Sequence, residues 1–318
     1  MMLFNELGQH FGLMSGGCLE RHLCQQAVSA INHQRSALLS YDLDMPEDSY
    51  PADAGSRQNN ENQHWQLSIG CGGSVRIFIA PLSAANHYLH FTKANQALAD
   101  KQACELTLHI EHHQAAGDIN SSCLMRGSQP PRINNWASYA LQKQTAQLGI
   151  GQQLNIGLYP AIQFLICGAG IDSIPLANMA AEMGWQVSIN ETRSQFQKAN
   201  RFLPTAKTTD IDYQQMHDAP VITNADCIII MHHNTELDAA ALLAAHSSNA
   251  SYIGVLGPEK RLNKLLALAG LTHGDFNGRL HGPCGLGLGG DNPASVALSI
   301  ISHCHAIIAG ASMKSLPI

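Results

Sequence analysis

"QFLICGAGIDSIPLANMAAEMGWQVSINE", residues 163–191, decides the fold. An apolar run from Phe164 to Cys167 meets a glycine turn, Gly168-Ala169-Gly170. A helical stretch from Pro175 to Met183 follows, and a second apolar strand ends at Glu191. Strand, glycine turn, helix and strand in that order open a parallel sheet, because parallel strands need a crossover helix. The spacing resembles the dinucleotide fingerprint. There, glycines let the backbone approach a pyrophosphate and an acid about twenty residues on takes the ribose hydroxyl. Gly168, Gly170 and Glu191 would fill those roles. Ser173 replaces the third glycine, however, and Asp172 brings a negative charge to the expected pyrophosphate. The signal is strong for the fold and weak for a nicotinamide.

The alternation continues towards the C-terminus. "ADCIIIM" and "SYIGVLG" read as strands, "ELDAAALLAAH" and "EKRLNKLLALAG" as helices, and Asn292 with Pro293 as the cap and first residue of a long last helix. This succession predicts a Rossmann-like, doubly wound parallel sheet over 158–318. His232, His233 and Asn234 follow the "ADCIIIM" strand at its carboxyl edge, where ligand contact and a solvated loop are both open readings. The glycines of "GPCGLGLGGDNP" (282–293) shape another loop at that edge.

Towards the N-terminus the pattern is less regular. "MMLF" reads as a strand, Cys18 to Ile31 as an amphipathic helix, and 36–42 as a strand. "HWQLSIGCGGSVRIFIAPL" reads as two β-rich runs around a turn, Ala84 to Leu98 as a helix and 104–111 as a strand. Residues 44–63 and 115–135 read as loops. The expectation is a small α/β (α+β) domain over 1–157.

Two loops in that domain carry thiols among glycines: Ser15-Gly16-Gly17-Cys18 with Glu20, and Gly70-Cys71-Gly72-Gly73. A cysteine at a helix mouth has its thiolate stabilised by the unpaired N–H groups there. Glu20, three residues after Gly17, has the spacing of half a capping box. Each loop alone is equally well a glycine turn with a small apolar residue. Together they form a candidate thiol-lined anion site.

Composition narrows the partners. A net charge of −6 excludes the basic footprint of a non-specific nucleic-acid binder and disfavours an anionic membrane surface. No apolar run reaches the length of a membrane span. Nine cysteines without framework spacing, in a chain with no export signal, read as reduced thiols of a cytoplasmic protein. Seventeen histidines invite a metal, but no HExxH or CxxC motif is present, so no metal site is expected.

With these residues in hand, the chain resembles the XdhC/CoxI family, accessory factors in the maturation of molybdenum hydroxylases such as xanthine dehydrogenase. The resemblance is carried by "SGGCLE" (15–20), "IGCGG" (69–73), "LICGAGIDSIPLANMAAEMGW", "YIGVLGPEKR" (252–261) and "GPCGLGLGGDNP", in this order. It implies a chaperone, and not an enzyme in the strict sense. Such a protein binds the molybdenum cofactor (molybdopterin), protects it and delivers it to an apo-molybdenum hydroxylase. A cysteine desulfurase is an implied second partner, and a homodimer the implied assembly. Ser15, Gly16, Gly17, Cys18 and the Cys71 loop are the implied cofactor-facing residues, with a nucleotide portion of the cofactor in the Rossmann-like domain. Asn234 and Gly287 stand where the family often carries acidic residues. "MMLF" resembles the interior of a longer family segment, so an N-terminally shortened reading frame is expected. The competing reading is an NAD(P)-dependent oxidoreductase that binds its dinucleotide at Gly168, Gly170 and Glu191.

Overall fold

The computed structural model describes residues 2–12, 19–42, 64–66, 74–111, 119–125, 137–146, 149–196, 202 and 206–311. Two compact units divide the chain. One is built from Met1–Ala97, Cys104–Met125 and Ser138–Gly157, and the other mainly from Leu158–Ile318.

In the first unit, β1 (Leu3–Phe4) pairs antiparallel with β2 (His10–Phe11). Helix α1 (Glu20–His33) buries Leu23, Ala27 and Ala30 at helical spacing. Strand β3 (Ala37–Asp42) lies between β4 (His64–Gln66), parallel to it, and β5 (Ser74–Ile79), antiparallel to it. Leu19, Leu23, Leu39, Tyr41 and Ile77 form the core between helix and sheet. Burying one such Leu or Ile contributes about 1.5–3 kcal/mol. Helix α2 is shorter than the sequence predicts, Phe91–Ala99, because His87, Tyr88, Leu89 and His90 before it have left-handed backbone. A four-stranded sheet, ordered β7-β6-β9-β8, comprises β6 (Cys104–Glu111), β7 (Ile119–Met125), β8 (Ala137–Ala146) and β9 (Gly149–Leu158). The expected loop over 115–135 therefore contains a strand. "INSSCLM" has weak alternation, and its conformation comes from antiparallel pairing, Cys104 opposite Met125 through Ile110 opposite Ile119.

The second unit is the predicted doubly wound sheet. Its strands are β10 (Gln163–Cys167), β11 (Gln186–Asn190), β12 (Lys207–Thr209), β13 (Cys227–Ile230), β14 (Tyr252–Val255) and β15 (Leu280–His281). All neighbours are parallel, in the order β12-β11-β10-β13-β14-β15. That is strand order 3-2-1-4-5-6 of the dinucleotide-binding folds. Helices α3 (Ser173–Glu182) and α7 (Pro293–Ala309) cover one face, packing on Phe164, Ile166, Ile189, Cys227, Ile229 and Tyr252. Helices α4 (Pro220–Thr223), α5 (Thr235–His246) and α6 (Glu259–Ala269) cover the other, over Leu165, Cys167, Ile228, Ile230, Ile253 and Val255. Successive strand residues serve opposite faces, so the runs are apolar throughout instead of alternating. Asn292 caps α7 by accepting from the Ser295 N–H at 2.9 Å, and Pro293 is its first residue, as the sequence predicts.

Candidate functional site

In a sheet of this order the chain winds outward in opposite directions from β10 and β13, which opens a crevice beyond their carboxyl ends. Two loops form its rim: Gly168–Asp172 after β10, and Met231–Asn234 after β13.

Gly168, Gly170 and Glu191 are brought together here, but their contacts are internal. Gly168 has φ +117, and a Cβ on it would stand 2.8 Å from the His232 nitrogen and the Met231 carbonyl carbon. The space this glycine clears is filled by the neighbouring loop. A Cβ on Gly170 would meet the Asp172 Oδ1 at 2.5 Å. The Glu191 side chain is fully buried. Its Oε2 accepts from the Ala169 N–H at 2.9 Å and from Arg193 Nη2 at 2.8 Å, while Oε1 accepts from the Arg193 N–H at 2.9 Å and from Nε at 2.8 Å. Burial alone would raise this carboxyl, but the guanidinium and the two N–H groups outweigh it and hold it down at about 2. Ser173, in place of the third glycine, donates its hydroxyl to the Gly170 carbonyl at 2.6 Å.

Across the crevice mouth, Asp172 Oδ2 lies 2.7 Å from His233 Nε2. Below the rim the polar groups are buried. His232 Nδ1 donates to Asp238 Oδ1 at 2.9 Å, and the His232 N–H donates to the same oxygen at 3.0 Å. His232 Nε2 lies 2.9 Å from the Tyr213 hydroxyl, and Arg261 Nη2 donates to Asp238 Oδ2. Burial would raise the Asp238 carboxyl, but His232 and Arg261 hold it below the ordinary carboxylate range. Adjacent histidines thus take opposite environments, His232 in the core and His233 60% exposed. Asn234 is a helix cap, accepting from Glu236 N–H and Leu237 N–H at 3.0 Å each.

Three thiols of this unit, Cys167, Cys284 and Cys304, are poor nucleophiles. Burial pushes Cys167 and Cys284 up to about 12 and Cys304 well above its ordinary value. Cys24, Cys104, Cys167, Cys227, Cys284 and Cys304 are free thiols, and no group of three or more His, Cys, Asp or Glu side chains among the described residues is arranged to hold a metal. No helix among them is long and apolar enough to cross a membrane.

The two thiol loops, Ser15, Gly16, Gly17 and Cys18, and Gly70, Cys71, Gly72 and Gly73, lie outside the described residues. Glu20 is described. Leu19 is the N-cap of α1 and makes no side-chain cap bond, so Glu20 is the first helical residue. The capping-box reading pairs Glu20 with Gly17, which lies outside the described residues. Sequence reasoning singled out His232 but missed Arg193, Tyr213, Asp238 and Arg261. The readable signals were slight: Arg193 two residues after Glu191, and Arg261 closing "GPEKR".

Comparison with known proteins follows the same division. A family model for the XdhC Rossmann domain matches residues 164–304, and one for the XdhC and CoxI family matches residues 1–42. A Bacillus subtilis protein named as a probable subunit of xanthine dehydrogenase is 24% identical over 312 residues, covering 95% of this chain and 86% of its own. A crystal structure described as a xanthine dehydrogenase from Bacillus halodurans superposes with a TM-score of 0.70 at 22% identity, over 100% of this chain and 88% of that one. With both family models matched in order and together spanning more than half its residues, the chain belongs to the XdhC and CoxI family.

Proposed function

We propose that this chain is a maturation factor for a hydroxylase of the xanthine dehydrogenase type. It binds the molybdenum cofactor and hands it to the apo-enzyme. The observation that carries the reading is the pairing, on one chain, of the N-terminal XdhC and CoxI match with the XdhC Rossmann match. The name of the Bacillus subtilis relative, which refers to xanthine dehydrogenase, supports the choice of client.

The donor chemistry suits the cofactor. Molybdopterin is anionic and rich in sulfur, and Ser15-Gly16-Gly17-Cys18 and Gly70-Cys71-Gly72-Gly73 offer backbone N–H groups, close approach and thiols. When bound, the cofactor supplies the oxo-transfer chemistry of the client and none in the chaperone. The chain's own residues bind it and shield it from water. A desulfurase that sulfurates the held cofactor is a partner on the same reading, and two copies of the chain are the proposed assembly.

The experiment is anaerobic purification from a molybdate-replete host, followed by metal analysis and fluorescence of the oxidised pterin. Molybdenum and pterin should copurify with the wild-type protein, and Cys18→Ala and Cys71→Ala should each lower the occupancy several-fold. Protein that carries no molybdenum and does not raise the activity of an apo-hydroxylase on mixing rules the reading out.

A further inference from the structure

The parallel sheet and glycine turn would ordinarily seat a dinucleotide, and the residues of this turn do not fit one. A bound pyrophosphate draws on the N–H groups of the turn and of the helix that follows. Here the Gly168 N–H donates to the Asn190 carbonyl at 2.9 Å and the Ala169 N–H to Glu191. The Ser173 N–H donates to the Gly170 carbonyl at 3.2 Å and the Ile174 N–H to the Ile171 carbonyl at 3.4 Å. A ribose needs the acid at the end of the second strand. Both oxygens of Glu191 accept from Ala169 and Arg193 instead, and its side chain is closed to solvent. A phosphate needs the clearance above the glycines. The His232 backbone fills it at Gly168, and the Asp172 carboxylate stands over Gly170 with a charge of the wrong sign.

We infer that the Rossmann turn of this chain is a sealed structural joint, with Glu191 as the anchor that ties the β10 turn to the end of β11, and that it is not a dinucleotide seat. The anchor keeps its position because Arg193 neutralises it, and the Arg193 guanidinium is in turn held 4.2 Å over the Phe196 ring.

The test uses the full chain as purified. NAD⁺, NADH, NADP⁺, GMP and CMP are each titrated calorimetrically, and amide exchange is followed at Ala169. Expected are no saturable binding tighter than about 100 µM and a slowly exchanging Ala169 amide without ligand. Glu191→Gln and Arg193→Met should each lower the melting temperature by roughly 5 °C or more, as breaking a buried ion pair does. Saturable nucleotide binding that Glu191→Gln abolishes overturns the inference, as does a freely exchanging Ala169 amide. So does an unchanged melting temperature in both variants. The outcome is independent of cofactor loading: a chain that carries molybdenum and ignores nucleotides satisfies both proposals, and one that binds NADH overturns only this one.

Discussion

At Gly168 one absent methyl group lets two loops close on each other. The backbone is left-handed, and a Cβ would stand within 2.9 Å of three His232 and Met231 main-chain atoms. Gly168→Ala meets both a strained φ and an immovable backbone, so we expect a loss of about 2–4 kcal/mol, read as a lower urea midpoint. Gly287 is the contrast. Nothing lies within 4 Å of a Cβ there. Gly287→Asp should change stability by no more than about 0.5 kcal/mol. These two glycines look alike in the sequence. Only the contact around each separates a packing requirement from an open position.

Among the elements, the strongest local signals were the capped helices. Asn234 and Asn292 each accept from N–H groups in the first helical turn. Asn234→Ala should cost about 1 kcal/mol while Asn234→Asp stays near neutral, which thermal melts would separate.

The β14–β15–α7 corner adds a pH dependence. The His281 ring stacks on Tyr252 at 4.5 Å and faces His303 at 4.7 Å, and burial, then the charge of His303, lowers it to about 4. The unfolded chain takes up this proton near 6.5 and the folded chain only near 4. Stability should therefore be full above pH 6.5 and fall as the pH drops towards 4. His281→Gln should flatten that slope in urea titrations between those limits. A slope unchanged in the variant would assign it to other groups. Glu191 acts lower down. Its folded value of about 2 lies below the ordinary 4.5, so its contribution is lost between those values.

At the scale of the molecule, the Arg261–Asp238–His232–Tyr213 chain joins the start of α6, the body of α5, the loop after β13 and the Tyr213–Asp218 turn. Removing Arg261 leaves the Asp238 carboxylate, 1% exposed, without its countercharge. Arg261→Met should cost about 3 kcal/mol, and the double variant Arg261→Met/Asp238→Asn less than the sum of the singles. A strictly additive cycle would mean that the two charges do not act as a pair.

The sequence by itself determined four strands of the parallel sheet, the helices between and after them, and the Asn292 cap of the last one. Those depend on apolar runs, glycine turns and capping residues that are contiguous in the chain. It also carried the two thiol loops and the family motifs. It missed the strand at Ile119–Met125, because a strand with weak alternation is specified by the partner it pairs with. Only the tertiary structure decided what the glycine turn does. Whether Glu191 faces a ribose or an arginine, and whether Gly168 clears room for a phosphate or for His232, depends on groups up to 64 residues apart coming within hydrogen-bond or van der Waals reach. Local spacing is the same in both cases, so the fold was legible and the use of its turn was not.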